Sequence, residues 1–135
     1  MMRKILAALF LSSHVAMAQN QISDFQWKNR LLIVSGATEN LIKQITSEND
    51  GLRDRNLKVF ILSGAENNPF PAKLELTKEF SKRLSPDLKN PKVYLIGKDG
   101  RTTLEWKLSE FTFKKLYASI DAMPMRQREM REGKP

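Results

Sequence analysis

The side chains that most often carry chemistry are almost missing from this 135-residue sequence, which has no cysteine and a single histidine, His14. Without thiols there is no redox couple, no thiolate nucleophile and no disulfide. His14 falls inside an N-terminal leader, so the chain beyond it has no imidazole to serve as a general base, complete a Ser-His pair or bind zinc or copper. No metal and no cofactor is expected. Carboxylates remain, but they are scattered as helix-surface and turn residues, whereas glycoside hydrolysis requires two of them held roughly 5 to 9.5 Å apart. Asp99 reads first as a turn residue, because Asp-Gly in Gly97-Lys98-Asp99-Gly100 is hairpin chemistry. The balance is against an enzyme, and thiol redox activity is excluded.

What the chain does have is cationic charge. Its 23 Lys and Arg face 15 Asp and Glu, a formal net charge of +8. Arg3 and Lys4 precede an apolar run and then Ala16-Met17-Ala18, the pattern of a secretory signal cleaved near Ala18. The apolar run is far shorter than the roughly 20 residues a membrane span requires, and no later stretch could span one. Cleavage leaves 21 basic and 15 acidic residues, a charge of +6 on the mature chain. The protein is therefore expected in the periplasm or outside the cell. There a basic protein meets an anionic envelope protein, lipid head group or glycan rather than nucleic acid.

The elements that must position any such surface follow from hydrophobic pattern. Arg30–Ser35 (RLLIVS) and 57–62 (LKVFIL) are short continuous apolar runs, as buried parallel strands show. Between them Gly36 breaks the first run, and Thr38 caps a helix with Leu41, Ile42, Ile45 and Leu52 on one side. This is a right-handed βαβ unit with parallel strands. A Gly, Asn and Pro-rich loop over 63–71 leads to a helix marked by Leu76, Phe80 and Leu84, which Ser85-Pro86 ends. A third strand at 93–96 enters the Asp-Gly hairpin, and Thr102, Leu104 and Trp106 alternate as a half-buried antiparallel strand should. Ser109 or Thr112 caps a last helix bearing Phe113, Leu116, Tyr117 and Ile120.

The order βαβ, α, ββα is that of a thioredoxin-like α/β three-layer sandwich, a central mixed sheet with helices on both faces. The expected organisation is a signal peptide over 1–18, a leader over 19–29, the thioredoxin-like domain over 30–122 and a basic tail over 123–135. In that superfamily the reactive Cys-x-x-Cys sits where the first strand meets the first helix. Here that place reads Gly36-Ala37-Thr38-Glu39-Asn40, and nothing in it can do redox work. The superfamily also sets a cis-proline before its third strand, and Pro91 lies near that position; X-Pro bonds are otherwise mostly trans. Phe25 and Trp27 in the leader either fold back onto the sheet as core or mark a self-association edge.

Three segments together resemble domain-of-unknown-function family 4174: Trp27-Lys28-Asn29-Arg30-Leu31-Leu32, Leu95-Ile96-Gly97-Lys98-Asp99-Gly100, and the run from Ile120 through Met123-Pro124-Met125-Arg126-Gln127-Arg128-Glu129 to Met130. That family includes short exported bacterial proteins and domains of animal secreted matrix proteins of the sushi-repeat and coiled-coil-domain-containing kinds. The resemblance covers essentially the whole mature chain. It implies a thioredoxin- or peroxiredoxin-like fold and brings no catalytic residues with it.

The terminal segment has its own physical reading. Pro124 stops the last helix, Met123 and Met125 pack back as adaptable anchors, and Arg126, Arg128 and Arg131 project a basic cluster tempered by Glu129 and Glu132. The alternative is a short helical or frayed tail held by weak surface ion pairs. As a site, Arg126, Arg128 and Arg131, with Lys98 of the hairpin, are the candidate partner-binding residues, able to fork onto carboxylate, phosphate or sulfate. The expected function is a non-catalytic exported binding or accessory module. The alternatives are a thiol-independent carboxylate hydrolase and a purely structural envelope protein.

Overall fold

The computed structural model describes residues 21–62 and 90–133. The leader through residue 20, the loop over 63–71 and the helix expected on Leu76, Phe80 and Leu84 lie outside the described residues. Four strands, β1 (Arg30–Ser35), β2 (Leu57–Ile61), β3 (Lys92–Ile96) and β4 (Thr102–Lys107), form one mixed sheet in the order β2-β1-β3-β4. β1 runs parallel to β2 and antiparallel to β3, and β4 is antiparallel to β3. All six residues of β1 are buried, as a continuous apolar run in the middle of a sheet requires.

Alternation along the strands builds two cores. Leu32, Val34, Val59, Val93 and Leu95 turn to one face, where they meet Leu41, Ile42 and Ile45 of α1 (Glu39–Ser47), Leu52 of α2 (Asn49–Asp54), and Leu116 and Ile120 of α3 (Phe113–Asp121). Leu31, Ile33, Phe60, Tyr94 and Ile96 turn to the other, where Phe25 from a short 3-10 turn packs edge-on against Phe60. Phe25 thus belongs to the core. Trp27 does not: it is 63% exposed, and its backbone sits at φ 67, where its N–H donates to the Lys98 carbonyl at 2.6 Å.

The single helix expected after Thr38 is interrupted at Glu48, whose φ of -92 and ψ of 15 separate α1 from α2. Ser47 turns its hydroxyl back onto the Gln44 carbonyl, which still accepts the Glu48 N–H at 3.0 Å. β4 is less buried than a half-buried strand, with Leu104 39% exposed. It is an outer strand of the four, and among the described residues one side of its ladder has no neighbouring strand. Thr102 and Trp106 are half-buried, Trp106 packing edge-on against Phe111 at 5.5 Å.

The segment after Ala122 is a nine-residue helix, α4 (Pro124–Glu132). Pro124 occupies its first turn, where the missing N–H costs nothing, and Gly133 ends it in the left-handed region at φ 69. Its mean polarity is high, and local propensity alone would leave so short a helix marginal. Tertiary contacts hold it, through Arg126 and Glu129, which are three residues apart and share its inner face.

Candidate functional site

Two poles of the sheet hold the residues of interest. At one pole β1 ends at Gly36, whose φ is +76, and Thr38 caps α1 by accepting the Leu41 N–H at 3.1 Å. Gly36 lies against Pro91 so closely that a Cβ added there would meet the proline Cβ at 2.6 Å. The Asn90–Pro91 bond is trans, the described residues having no cis peptide. Beside it opens a cleft of about 380 Å³, lined by Thr38, Asn40, Gln44, Pro91, Ser109 and Phe111. Its walls offer amides, hydroxyls and one aromatic ring. Among the described residues no carboxylate lines it, and the Thr38 hydroxyl already accepts from the helix.

At the opposite pole α4 is fastened by buried charge. Arg30, only 1% exposed, donates both guanidinium ends to Glu129 at 3.1 and 3.2 Å and also reaches the Arg55 carbonyl at 2.9 Å. Lys98 donates at 2.6 Å to Glu129 Oε2, the oxygen that also accepts from Arg30 Nη2. Arg126 donates to the Asp54 carboxylate at 2.8 Å, to the Asp54 carbonyl at 3.0 Å and to Asp121 at 3.2 Å. Arg55 completes the cluster with two bonds to Asp121 at 3.0 and 2.8 Å, and its guanidinium lies 3.9 Å from the centre of the Tyr117 ring. Tyr117 in turn donates to Glu48 at 2.6 Å.

These contacts fix the ionisation of the cluster. Bonds from Arg55, and behind them Arg126, hold the Asp121 carboxyl below its ordinary range against the opposing effect of burial. Burial pushes Glu129 up, but the bonds from Arg30 and Lys98 outweigh it and leave that carboxyl lowered as well. Burial and the Glu48 bond together push the Tyr117 phenol far above its usual value. A carboxylate held low by guanidinium partners is a poor general acid at neutral pH. It is a good anchor, because each partner of a buried bidentate pair satisfies the other.

The four candidate partner-binding residues therefore divide. Arg126 and Lys98 are buried and engaged within the fold. Arg128 and Arg131 are exposed on the outer side of α4, and neither makes an ion pair among the described residues. Sequence reasoning missed Arg30 and Glu129 as the centre of the cluster. A signal was present: an arginine opening an otherwise apolar buried strand needs a counter-charge, and Glu129 falls three residues after Arg126 on one helix face. Among the described residues no group of three or more His, Cys, Asp or Glu could hold a metal ion.

With the geometry in place, similarity to known proteins is informative. The model of the family described as Domain of unknown function (DUF4174) matches residues 21–129. The chain belongs to the DUF4174 family. No curated protein is significantly similar to it in sequence. Among solved structures, the reduced 2-Cys peroxiredoxin of Plasmodium vivax superposes with a TM-score of 0.54 at 14% identity, covering 78% of this chain and 83% of that one. Thioredoxin peroxidase I of Plasmodium yoelii gives 0.51 at 15% identity, covering 84% and 81%. This DUF4174 chain thus has a thioredoxin-type fold, and it has it without cysteine. No helix among the described residues is long and apolar enough to cross a membrane.

Proposed function

We propose that this DUF4174 chain is an exported, non-catalytic binding module that engages an anionic partner of the cell envelope through the outer side of α4. The observation that carries the reading is the division of charge on that helix. Arg126 and Glu129 are spent inside the fold, which holds α4 in one orientation, while Arg128 and Arg131 stand free of ion pairs among the described residues. Two guanidinium forks on a fixed helix face suit carboxylate, phosphate or sulfate. The absence of cysteine and of any histidine beyond His14 supports binding over catalysis.

The hydrolase alternative finds less support. Glu105 and Glu110 do line a cleft of about 320 Å³ with Trp106, but they share it with Lys92, Lys107 and Lys115. A general acid needs burial to keep its proton at neutral pH, and both glutamates are exposed.

The export half of the proposal rests on Arg3, Lys4, the apolar run and Ala16-Met17-Ala18. Its test is N-terminal sequencing of the protein recovered from the periplasmic and extracellular fractions of cells expressing the full gene. A mature chain beginning at Gln19 is expected. An intact Met1 terminus on protein confined to the cytoplasm would overturn that half.

A further inference from the structure

The geometry points to a second binding site, at the corner where α2 enters β2, for the carboxylated ring of an acidic sugar. A pocket of about 250 Å³ opens there, and the polar residues that line it are two cations, Arg53 and Lys58, and three asparagines, Asn29, Asn49 and Asn56. Both cations are exposed, neither makes an ion pair among the described residues, and no carboxylate lines the pocket. The local charge is therefore uncompensated, in contrast to the cluster under α4, where each buried cation has a named acceptor.

The amides decide the class of ligand. Asn29 donates one long bond, 3.4 Å, to the Asn56 carbonyl. The side chains of Asn49 and Asn56 make no hydrogen bond among the described residues. Each amide offers two donors and an acceptor; sulfate only accepts and meets the donors alone, and phosphate near neutral pH has at most two O–H groups with which to meet the acceptors. Vicinal hydroxyls donate and accept, and so satisfy amides of this kind. Leu52 and Leu57, buried at the back of the pocket, supply an apolar wall against which the C–H face of a ring can lie. Asn56, which lines the pocket, adopts φ 52, a left-handed conformation that asparagine tolerates better than most residues. A carboxylate on the ring then meets Arg53 and Lys58, the hydroxyls meet the amides, and the volume suits one sugar unit rather than a long peptide. The inference does not depend on export or on the outer face of α4.

The test is titration of the isotope-labelled full chain with digalacturonic acid, the neutral disaccharide galactobiose and inorganic phosphate, followed by nuclear magnetic resonance of the side-chain amides. Digalacturonic acid is expected to move the Asn49 and Asn56 amide signals saturably. Galactobiose and phosphate should bind at least about tenfold more weakly, the first losing the charge-assisted contacts and the second the hydroxyl contacts. Arg53→Gln/Lys58→Gln, at exposed positions that leave the core intact, should weaken digalacturonic acid about a hundredfold, about one decade per charge. Arg128→Glu/Arg131→Glu should leave its affinity unchanged. Absence of a saturable shift, phosphate binding as tightly as the sugar acid, full binding by the Arg53 and Lys58 variant, or loss confined to the Arg128 and Arg131 variant would each overturn the assignment.

Discussion

Replacing Glu129 with alanine is expected to destabilise the fold by about 3–5 kcal/mol, because it strips the shared acceptor from two buried cations at once. Arg30 is 1% exposed and Lys98 8% exposed, so neither can recover its hydration without moving. Against a total stability of about 5–15 kcal/mol for a domain, such a loss should bring the protein close to unfolding near body temperature. The effect is the cost of stranded charge, not the net worth of the ion pairs, and a second variant separates the two. In Arg30→Met/Lys98→Met/Glu129→Leu the charges leave together, and the penalty should fall well below that of the single change, since a buried ionic cluster is often no more stable than an apolar replacement of similar volume. Urea denaturation of both variants checks this. A Glu129→Ala cost within about 0.5 kcal/mol, the range of ordinary surface substitutions, would mean that the cluster does not clamp α4.

The same cluster sets a pH dependence whose sign is fixed by its lowered carboxyls. Glu129 and Asp121 titrate below their ordinary values of 4.5 and 3.8. The stability they contribute is therefore fully present above those values and is lost as pH falls through the lower, folded-state ones. Unfolding midpoints should stay flat from neutral pH down to about pH 5 and decline below pH 4, with the decline shallower in the triple variant.

Gly36→Ala should be nearly as damaging, at about 2–5 kcal/mol. Two separate effects add. A φ of +76 puts any Cβ in left-handed strain, about 1–2 kcal/mol. The new Cβ also falls 2.6 Å from the Pro91 Cβ, and overpacking of this kind costs about 1–3 kcal/mol. Gly133 provides the control, for it has φ +69 but nothing within 4 Å of an added Cβ. Gly133→Ala should show the strain alone. Pro91→Gly in the Gly36→Ala background removes the opposing Cβ and should return the steric part, though not the strain. Equal melting temperatures for the two single glycine variants would show that the Gly36 and Pro91 backbones do not meet as closely as described.

Gly36 also shows how much of the molecule was legible beforehand. β1, β2 and β3 fall where the apolar runs place them, because a buried strand must be apolar over its length and that pattern needs no partner to be read. Thr38 and Thr112 both cap the helices expected of them, for capping is local chemistry. Tertiary effects were not legible. The break at Glu48 has no proline to announce it, and the exposure of Leu104 goes with the place of β4 at the edge of the described sheet. The largest gap concerns charge. Arg126, Arg128 and Arg131 look alike along the chain, yet the periodicity of α4 turns Arg126 inward onto Asp54 and Asp121 while Arg128 and Arg131 face solvent. Lys98 reads as a hairpin residue and proves to be a buried partner of a helix that lies 31 residues away in sequence. Composition counts such cations equally; only the fold separates those that hold the protein together from those available to bind.

The most direct test of the proposed function exploits that separation. The protein and its Arg128→Glu/Arg131→Glu variant would be used to capture partners from envelope extract at low and moderate salt, with mass spectrometry as the readout. The account predicts one discrete anionic partner held by the wild-type protein, weakened as the salt screens its charges, and lost in the variant while the variant's unfolding midpoint stays unchanged. Capture of the same partner by the variant with the same salt sensitivity would contradict it and remove the outer face of α4 as the binding surface.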